Sequence, residues 1–255
     1  MKRVRETDPE LGELTLDRLT RDVWLWQRKA GHRFSADDVV TAWVAARARP
    51  RAHDVLDLGC GLGTVLLHLA WSMPAARLVG VEAQAMSYAL CMRNIAHNRL
   101  GGRVAAWHGD LREVRLDGPF DLVTGTPPYF PPSAALDAED PQRAYARIEY
   151  RGGVEAYITA AARVLAPDGA LVLCGDARAE ERVATAATSH GLVVTARCEV
   201  VPREPRPPLF SVWTLERAHD SPPTTTRFAL RDAAGHRTAE AAALRAFSGL
   251  QPDAD

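Results

Sequence analysis

Hydrophobic and polar positions alternate weakly over residues 22–27 (DVWLWQ), a period of two that predicts a strand, and RKAGHRF then reads as a turn around Gly31. Ser35 opens a different pattern. Over residues 36–48 (ADDVVTAWVAARA), Val39, Val40, Trp43 and Val44 recur at helical spacing. Ser35 fits the N-cap, Asp37 and Asp38 suit the positive end of the helix dipole, and Pro50 closes the element. From residue 54 the two periods take turns. Strands are predicted at 54–59 (DVLDLG), 77–82 (RLVGVE), 103–109 (RVAAWHG), 120–125 (FDLVTG) and 170–175 (ALVLCG), with helices at 64–73, 83–102, 154–169 and 177–191. Two more strands, 192–201 and 209–218, follow one another across the proline-rich PREPRPP.

Strands alternating with helices specify an α/β fold, a Rossmann-like, doubly wound and mostly parallel sheet with helices on both faces. The last two strands have no helix between them, so they are expected to pair antiparallel. Residues 1–34 read as an N-terminal extension and 35–218 as the main domain. Residues 219–255 read as a tail packing on that domain through a loop, a short strand and a helix.

Composition narrows the class only a little. The apolar share of 47% and charged share of 25% in 255 residues are those of an ordinary globular chain. No apolar run approaches the roughly 20 residues of a membrane span, and the basic start MKRVRE leads into no apolar core, so a cytoplasmic protein without membrane contact is expected. Cys60, Cys91, Cys174 and Cys198 form no CxxC pair, and no metal is expected. The formal net charge is −1, so any nucleic acid must meet a local basic patch.

Candidate chemistry begins at VLDLGCGLGT. Gly59, Gly61 and Gly63 stand where a strand meets a helix, and glycine there permits a tight turn with a ligand lying close against the backbone. Asp57 precedes the loop, Glu82 closes the next strand, and Asp110 follows the third. Glu82 suits two ribose hydroxyls and Asp110 an adenine amino group. No basic residue in the loop balances a pyrophosphate, so the set outlines an adenosine with a small polar tail. A ligand-free turn and a dinucleotide site stay open at this point.

The strand at 120–125 runs into Thr126-Pro127-Pro128-Tyr129-Phe130. Proline fixes φ, donates no hydrogen bond and holds the preceding residue extended. Carbonyls in such a segment are free to accept from a substrate amino group, and Tyr129 offers a flat face for a planar one. Farther on, Asp140 reads as an N-cap with Pro141 at the first helical position, and Arg143, Arg147 and Arg151 follow at intervals of four beside Tyr145 and Tyr150. Guanidinium groups on one face suit phosphates; a solvated stripe paired with Glu139 and Glu149 is the plainer alternative.

D-x-G-x-G-x-G, the acid ending the second strand and the acid after the third resemble class I S-adenosylmethionine (SAM)-dependent methyltransferases, over roughly residues 54–217. TPPY is similar to the (Asn/Asp/Ser)-Pro-Pro-(Tyr/Phe) segment of the amino-group methyltransferases. GHRFSADDVVTAWVA, PPYFPP with RAYARIEYRGG, and RDAAGHRTAEAAALRAF extend the resemblance to the bacterial valine-tRNA adenine-N6 methyltransferases, with Thr126 in place of their Asn. The resemblance implies a seven-stranded sheet with an antiparallel last strand and SAM as cofactor, held by Asp57, Gly59, Gly61, Gly63, Glu82 and Asp110. It further implies catalysis at Thr126, Pro127, Pro128 and Tyr129. RNA, foremost tRNA, would be met by Phe130, Arg143, Arg147 and Arg151, and the protein would act as a monomer. Methylation of a protein glutamine or a small molecule, and RNA binding with weakened catalysis, are the alternatives.

Overall fold

The computed structural model describes residues 4–134, 140–217 and 222–251. Its centre is an eight-stranded sheet. Seven strands come from the expected domain: β4 (Asp54–Leu58), β5 (Arg77–Glu82), β6 (Val104–His108), β7 (Phe120–Gly125), β8 (Leu165–Asp176), β9 (Val193–Val201) and β10 (Phe210–Glu216). β11 (Thr224–Ala229), from the tail, is the eighth and pairs parallel with β9. The order is β11-β9-β10-β8-β7-β4-β5-β6. β4 through β8 are mutually parallel, and β10 runs antiparallel to both β8 and β9.

Alternation along each strand divides the core into two layers. Val55, Val172 and Val212 face one side, where they pack with α1 (Ala36–Ala48), α2 (Thr64–Ser72) and α3 (Ala85–His97). Leu56, Leu171, Leu173 and Trp213 face the other, with α5 (Val154–Ala162) and α6 (Glu180–Ser189). Helices thus cover both faces, as the sequence pattern requires. The α5 helix is shorter than its predicted span of 154–169, and β8 already begins at Leu165. Pro167 cannot donate a helical hydrogen bond and biases Ala166 toward extended backbone, so the apolar pattern continues past the end of the helix into the strand.

The N-terminal residues form a second sheet, the antiparallel meander β1 (Val4–Asp8), β2 (Gly12–Arg18) and β3 (Trp24–Arg28). Only β3 was visible in the hydrophobic alternation. The open edge of β3 docks on α3 through two asparagines one helical turn apart. Asn94 accepts from the Trp26 N–H at 2.7 Å and donates to the Trp26 carbonyl at 3.1 Å; Asn98 does the same for Trp24 at 2.9 and 2.7 Å. Polar backbone at a covered strand edge needs such partners. Asn94 also donates to the Leu62 carbonyl at 2.9 Å, tying the meander to the glycine loop. At the other end of the chain, α7 (Ala239–Phe247) is capped by Thr238, which accepts from the Ala241 N–H at 3.1 Å. Phe247 stacks on the buried His68 at 4.6 Å between centroids, and the same imidazole meets the Ser248 hydroxyl at 3.0 Å.

Candidate active site

β4 has β5 on one side and β7 on the other, so the strand order reverses at β4, where the carboxyl ends of the strands open a crevice. The glycine loop lies there, with φ of +61° at Gly59, +56° at Gly61 and +91° at Gly63. A Cβ at Gly59 would stand 2.1 Å from the Tyr157 hydroxyl, and one at Gly125 would stand 2.6 Å from the Tyr157 ring. The ends of β4 and β7 therefore close around Tyr157 of α5, a residue that pattern reading had placed only in the core. A Cβ at Gly61 would meet nothing within 4 Å, because this turn borders open space.

Two cavities fill the crevice. The first is bordered by Gly59, Gly61, Glu82, Asp110, Pro128 and Arg151. The Glu82 carboxylate accepts from the Gly61 N–H at 2.9 Å and the Gln84 N–H at 2.7 Å, one to each oxygen. It is buried, and burial raises its pKa against the pull of those two bonds. Each oxygen keeps a lone pair for a ligand hydroxyl. Asp110 is gripped at both oxygens by Arg112, at 2.9 and 2.7 Å, and that ion pair holds its carboxyl below the usual range. A wall of acceptors without a cation in the loop, beside a glycine turn open to the cavity, fits a nucleoside carrying no phosphate. SAM meets that description.

The second cavity is bordered by Asp37, Pro127, Tyr129, Phe130, Arg143 and Arg147. The Tyr129 hydroxyl donates to Asp37 at 3.1 Å and lies 2.9 Å from the Cys174 sulfur, which fixes the ring on the core. Arg147 lies over the Phe130 ring at 5.5 Å. His32, Asp38, Thr126 and Ala146 border both cavities, so the two spaces meet at Thr126. His32 and Asp38 were not among the expected site residues. Their signal was weak: a turn residue, and an acid that helix-start chemistry already explained.

Two expected roles change. The helix α4 (Pro141–Arg147), capped by Asp140 accepting from the Arg143 N–H at 3.0 Å, ends before Arg151. Arg151 therefore does not share its face with Arg143 and Arg147. It stacks over Tyr145 at 4.5 Å on the side of the first cavity, where its charge works against the burial that raises the Glu82 pKa and adds a little to the lowering that Arg112 causes at Asp110. Glu149 pairs with Arg182 of α6 at 3.0 Å and not with the α4 arginines, and Glu139 lies outside the described residues. Asp57 stands behind the loop and borders neither cavity. It is 2% exposed, accepts from the Thr124 hydroxyl at 2.8 Å, and has one oxygen without a partner.

Burial drives the Asp57 carboxyl up to about 7 from 3.8. Its protonated form is thus the one the fold prefers, and its stabilising contribution is complete below pH 3.8 and lost as pH rises to about 7. The slope is about 1.4 kcal/mol per pH unit across that window. Asp57→Asn keeps an acceptor for Thr124 and should remove the slope. Denaturant midpoints of the two proteins should then coincide near pH 4 and separate, with the variant ahead, by pH 8. A constant difference across this range would show that Asp57 ionises as freely when folded as when unfolded.

Among the described residues no cluster of His, Cys, Asp and Glu could hold a metal ion, and no helix is long and apolar enough to cross a membrane. Comparisons with known proteins agree with the chemistry. A release factor glutamine methyltransferase from Geobacter sulfurreducens is 41% identical over 106 residues, 42% of this chain and 36% of that one. A tRNA1(Val) (adenine(37)-N6)-methyltransferase from Porphyromonas gingivalis is 29% identical over 193 residues, 72% of this chain and 75% of its own length. A crystal structure of a predicted O-methyltransferase from Agrobacterium tumefaciens superposes with a TM-score of 0.59 over 86% of this chain and 99% of that one, at 17% identity, a likeness of fold. The methyltransferase small domain model matches residues 35–189, a span that takes in the glycine loop, Glu82 and the Thr126–Tyr129 segment, and the chain belongs to that family.

Proposed function

We propose that the protein is a SAM-dependent N-methyltransferase of the cytoplasm that methylates adenine N6 in RNA, with tRNA as the substrate class. The observation that carries this reading is the meeting of the two cavities at Thr126. A nucleoside-fitting space on one side opens into a space walled by the fixed ring of Tyr129 on the other. Support also comes from the Porphyromonas relative, whose match runs over most of both chains.

SAM supplies an electrophilic methyl group on a sulfonium. The chain holds it by Glu82 and the glycine loop, with Arg151 and Asp110 at the rim. Tyr129 stacks on the flipped base. The Thr126 hydroxyl and the Pro127 carbonyl accept from the exocyclic N–H groups, which turns the nitrogen lone pair out of the ring and toward the first cavity. Arg143 and Arg147 meet phosphates flanking the base. In the same reading residues 1–34 are a docking extension of the 35–218 domain, residues 219–255 are a tail packed on it, and the enzyme works as a monomer.

Incubation with labelled SAM and bulk tRNA, followed by nucleoside digestion and mass spectrometry, tests the substrate. N6-methyladenosine is expected. Label entering a glutamine-containing peptide and not tRNA would move the protein to the activity named for the Geobacter relative. Thr126 gives a finer test. Thr126→Val, nearly isosteric but unable to hydrogen-bond, should slow transfer by about tenfold to a hundredfold, roughly 1.4–2.7 kcal/mol of barrier. Thr126→Asn should preserve or raise the rate. An Asn variant that loses a measured activity would mean that the pocket is shaped around a hydroxyl, against an adenine acceptor.

A further inference from the structure

An exocyclic amine has two N–H groups to direct, and Thr126 is shorter than an amide side chain and presents a single oxygen. The Pro127 carbonyl, the other acceptor of this segment, borders only the second cavity, so an acceptor reaching both spaces would assist the shorter Thr126. Of the four residues that border both cavities, Ala146 has no polar side-chain atom, and His32 offers a single acceptor nitrogen on a turn, with no ring hydrogen bond to hold it among the described residues. The remaining one is Asp38. It is half-buried at the third position of α1, and one of its oxygens accepts from the Ser35 N–H at 3.0 Å. That bond is the helix-capping half of a capping box, and it fixes the carboxyl in place. Among the described residues no donor reaches the other oxygen.

We infer that Asp38 is a further hydrogen-bond acceptor for the methyl-accepting amine, working with Thr126 and the Pro127 carbonyl where the two cavities join. The inference rests on the reading of this site as an amine methyltransferase and adds to it a residue outside the Thr126–Tyr129 segment. Three independent features lead to it. The carboxyl stands where the two spaces join. Its position is set by the backbone of α1 and not by a flexible loop. It also belongs to a group of acids: Asp37 beside it and Asp57 beneath the loop both push its pKa upward, after burial itself. Such a group gains from any neighbour that brings N–H donors or positive charge. An amine that takes up a methyl group brings both, because positive charge grows on the nitrogen. Asp37 is already engaged by Tyr129, and Asp57 borders neither cavity, so Asp38 is the member that can touch the acceptor.

The experiment compares wild type, Asp38→Ala, Asp38→Asn, and each combined with Thr126→Asn. Acceptors are bulk tRNA and a glutamine-containing peptide, and SAM affinity is measured separately by calorimetry. Asp38→Ala should lower kcat by about a hundredfold and leave the SAM Kd within about twofold. Asp38→Asn, which can still cap Ser35 but can turn an NH2 toward the amine, should fall by about tenfold or more. Adding Thr126→Asn to Asp38→Ala should recover at least about tenfold, since it returns an acceptor to the junction; a residue that only caps α1 would not be rescued in this way. A SAM Kd that rises in step with the loss of kcat would overturn the inference by making Asp38 a cofactor ligand. So would wild-type rates in Asp38→Asn, or a folded Asp38→Ala protein with no rescue. Label entering only the peptide would overturn the RNA reading and leave Asp38 to be judged on the peptide. Label entering neither acceptor would overturn both.

Discussion

Tyr129→Ala is expected to reduce methyl transfer by about a thousandfold, roughly 4 kcal/mol of barrier, without a change in SAM affinity. The two effects separate because of where the ring stands. Tyr129 borders the second cavity and not the first, so its loss removes the stacking face and leaves the wall of the nucleoside site intact. The ring is also fixed before any substrate arrives. Its hydroxyl donates to Asp37 at 3.1 Å, and burial raises the phenol pKa, with Cys174 and Asp37 adding to the effect, so the proton stays on oxygen. Stacking a base on an aromatic face is worth about 1–3 kcal/mol. The rest of the expected effect comes from orientation, because an unstacked amine no longer keeps the alignment that in-line attack needs. Tyr129→Phe keeps the face and gives up only the tether, and should cost less than about tenfold. Rate measurements at saturating SAM, beside calorimetry, decide the matter. A folded Tyr129→Ala protein that no longer binds SAM would place this residue in the cofactor site.

Glu82→Ala should weaken SAM binding by about a hundredfold to a thousandfold, roughly 2.7–4.1 kcal/mol. Two losses add. The first is direct, since hydrogen bonds to a charged acceptor contribute about 1.5–3 kcal/mol each and the carboxylate has a free lone pair on either oxygen for a ribose hydroxyl. The second acts through the loop. Glu82 holds the Gly61 and Gln84 N–H groups, and without it the turn at Gly61 loses its brace. Glu82→Gln keeps one acceptor oxygen and should fall by only about tenfold. Calorimetric titration with SAM gives both values, and thermal unfolding reports whether the loop change spreads. Unchanged affinity in the alanine variant would remove Glu82 from the cofactor site and, with it, the main support for the first cavity as the nucleoside space.

What could be read directly from the chain was whatever a few neighbouring residues decide among themselves. The strands at 77–82 and 120–125 were predicted to the residue, because apolar runs bounded by turn residues leave little choice of period or length. The glycine loop was legible for the same reason, since positive φ at Gly59, Gly61 and Gly63 is a local demand that glycine alone meets without strain. Asp140 and Pro141 announced a helix start that the fold kept, for capping is decided within a single turn. Tertiary structure decided everything that depends on segments far apart in the chain. β1 and β2 become strands by pairing onto β3, whose other edge docks on Asn94 and Asn98, and no local pattern encodes that assembly. Arg151 was drawn into a periodic stripe by its spacing alone; the chain leaves the helix after Arg147 and sets Arg151 over Tyr145, at the cavity that Glu82 also borders. Asp38 satisfied every rule for the first turn of a helix, and only the fold shows that the same carboxyl stands between two cavities. A residue's conformation is set by its neighbours in sequence, but its chemistry is set by burial and by the charges packed against it, and those are contributed by the rest of the chain.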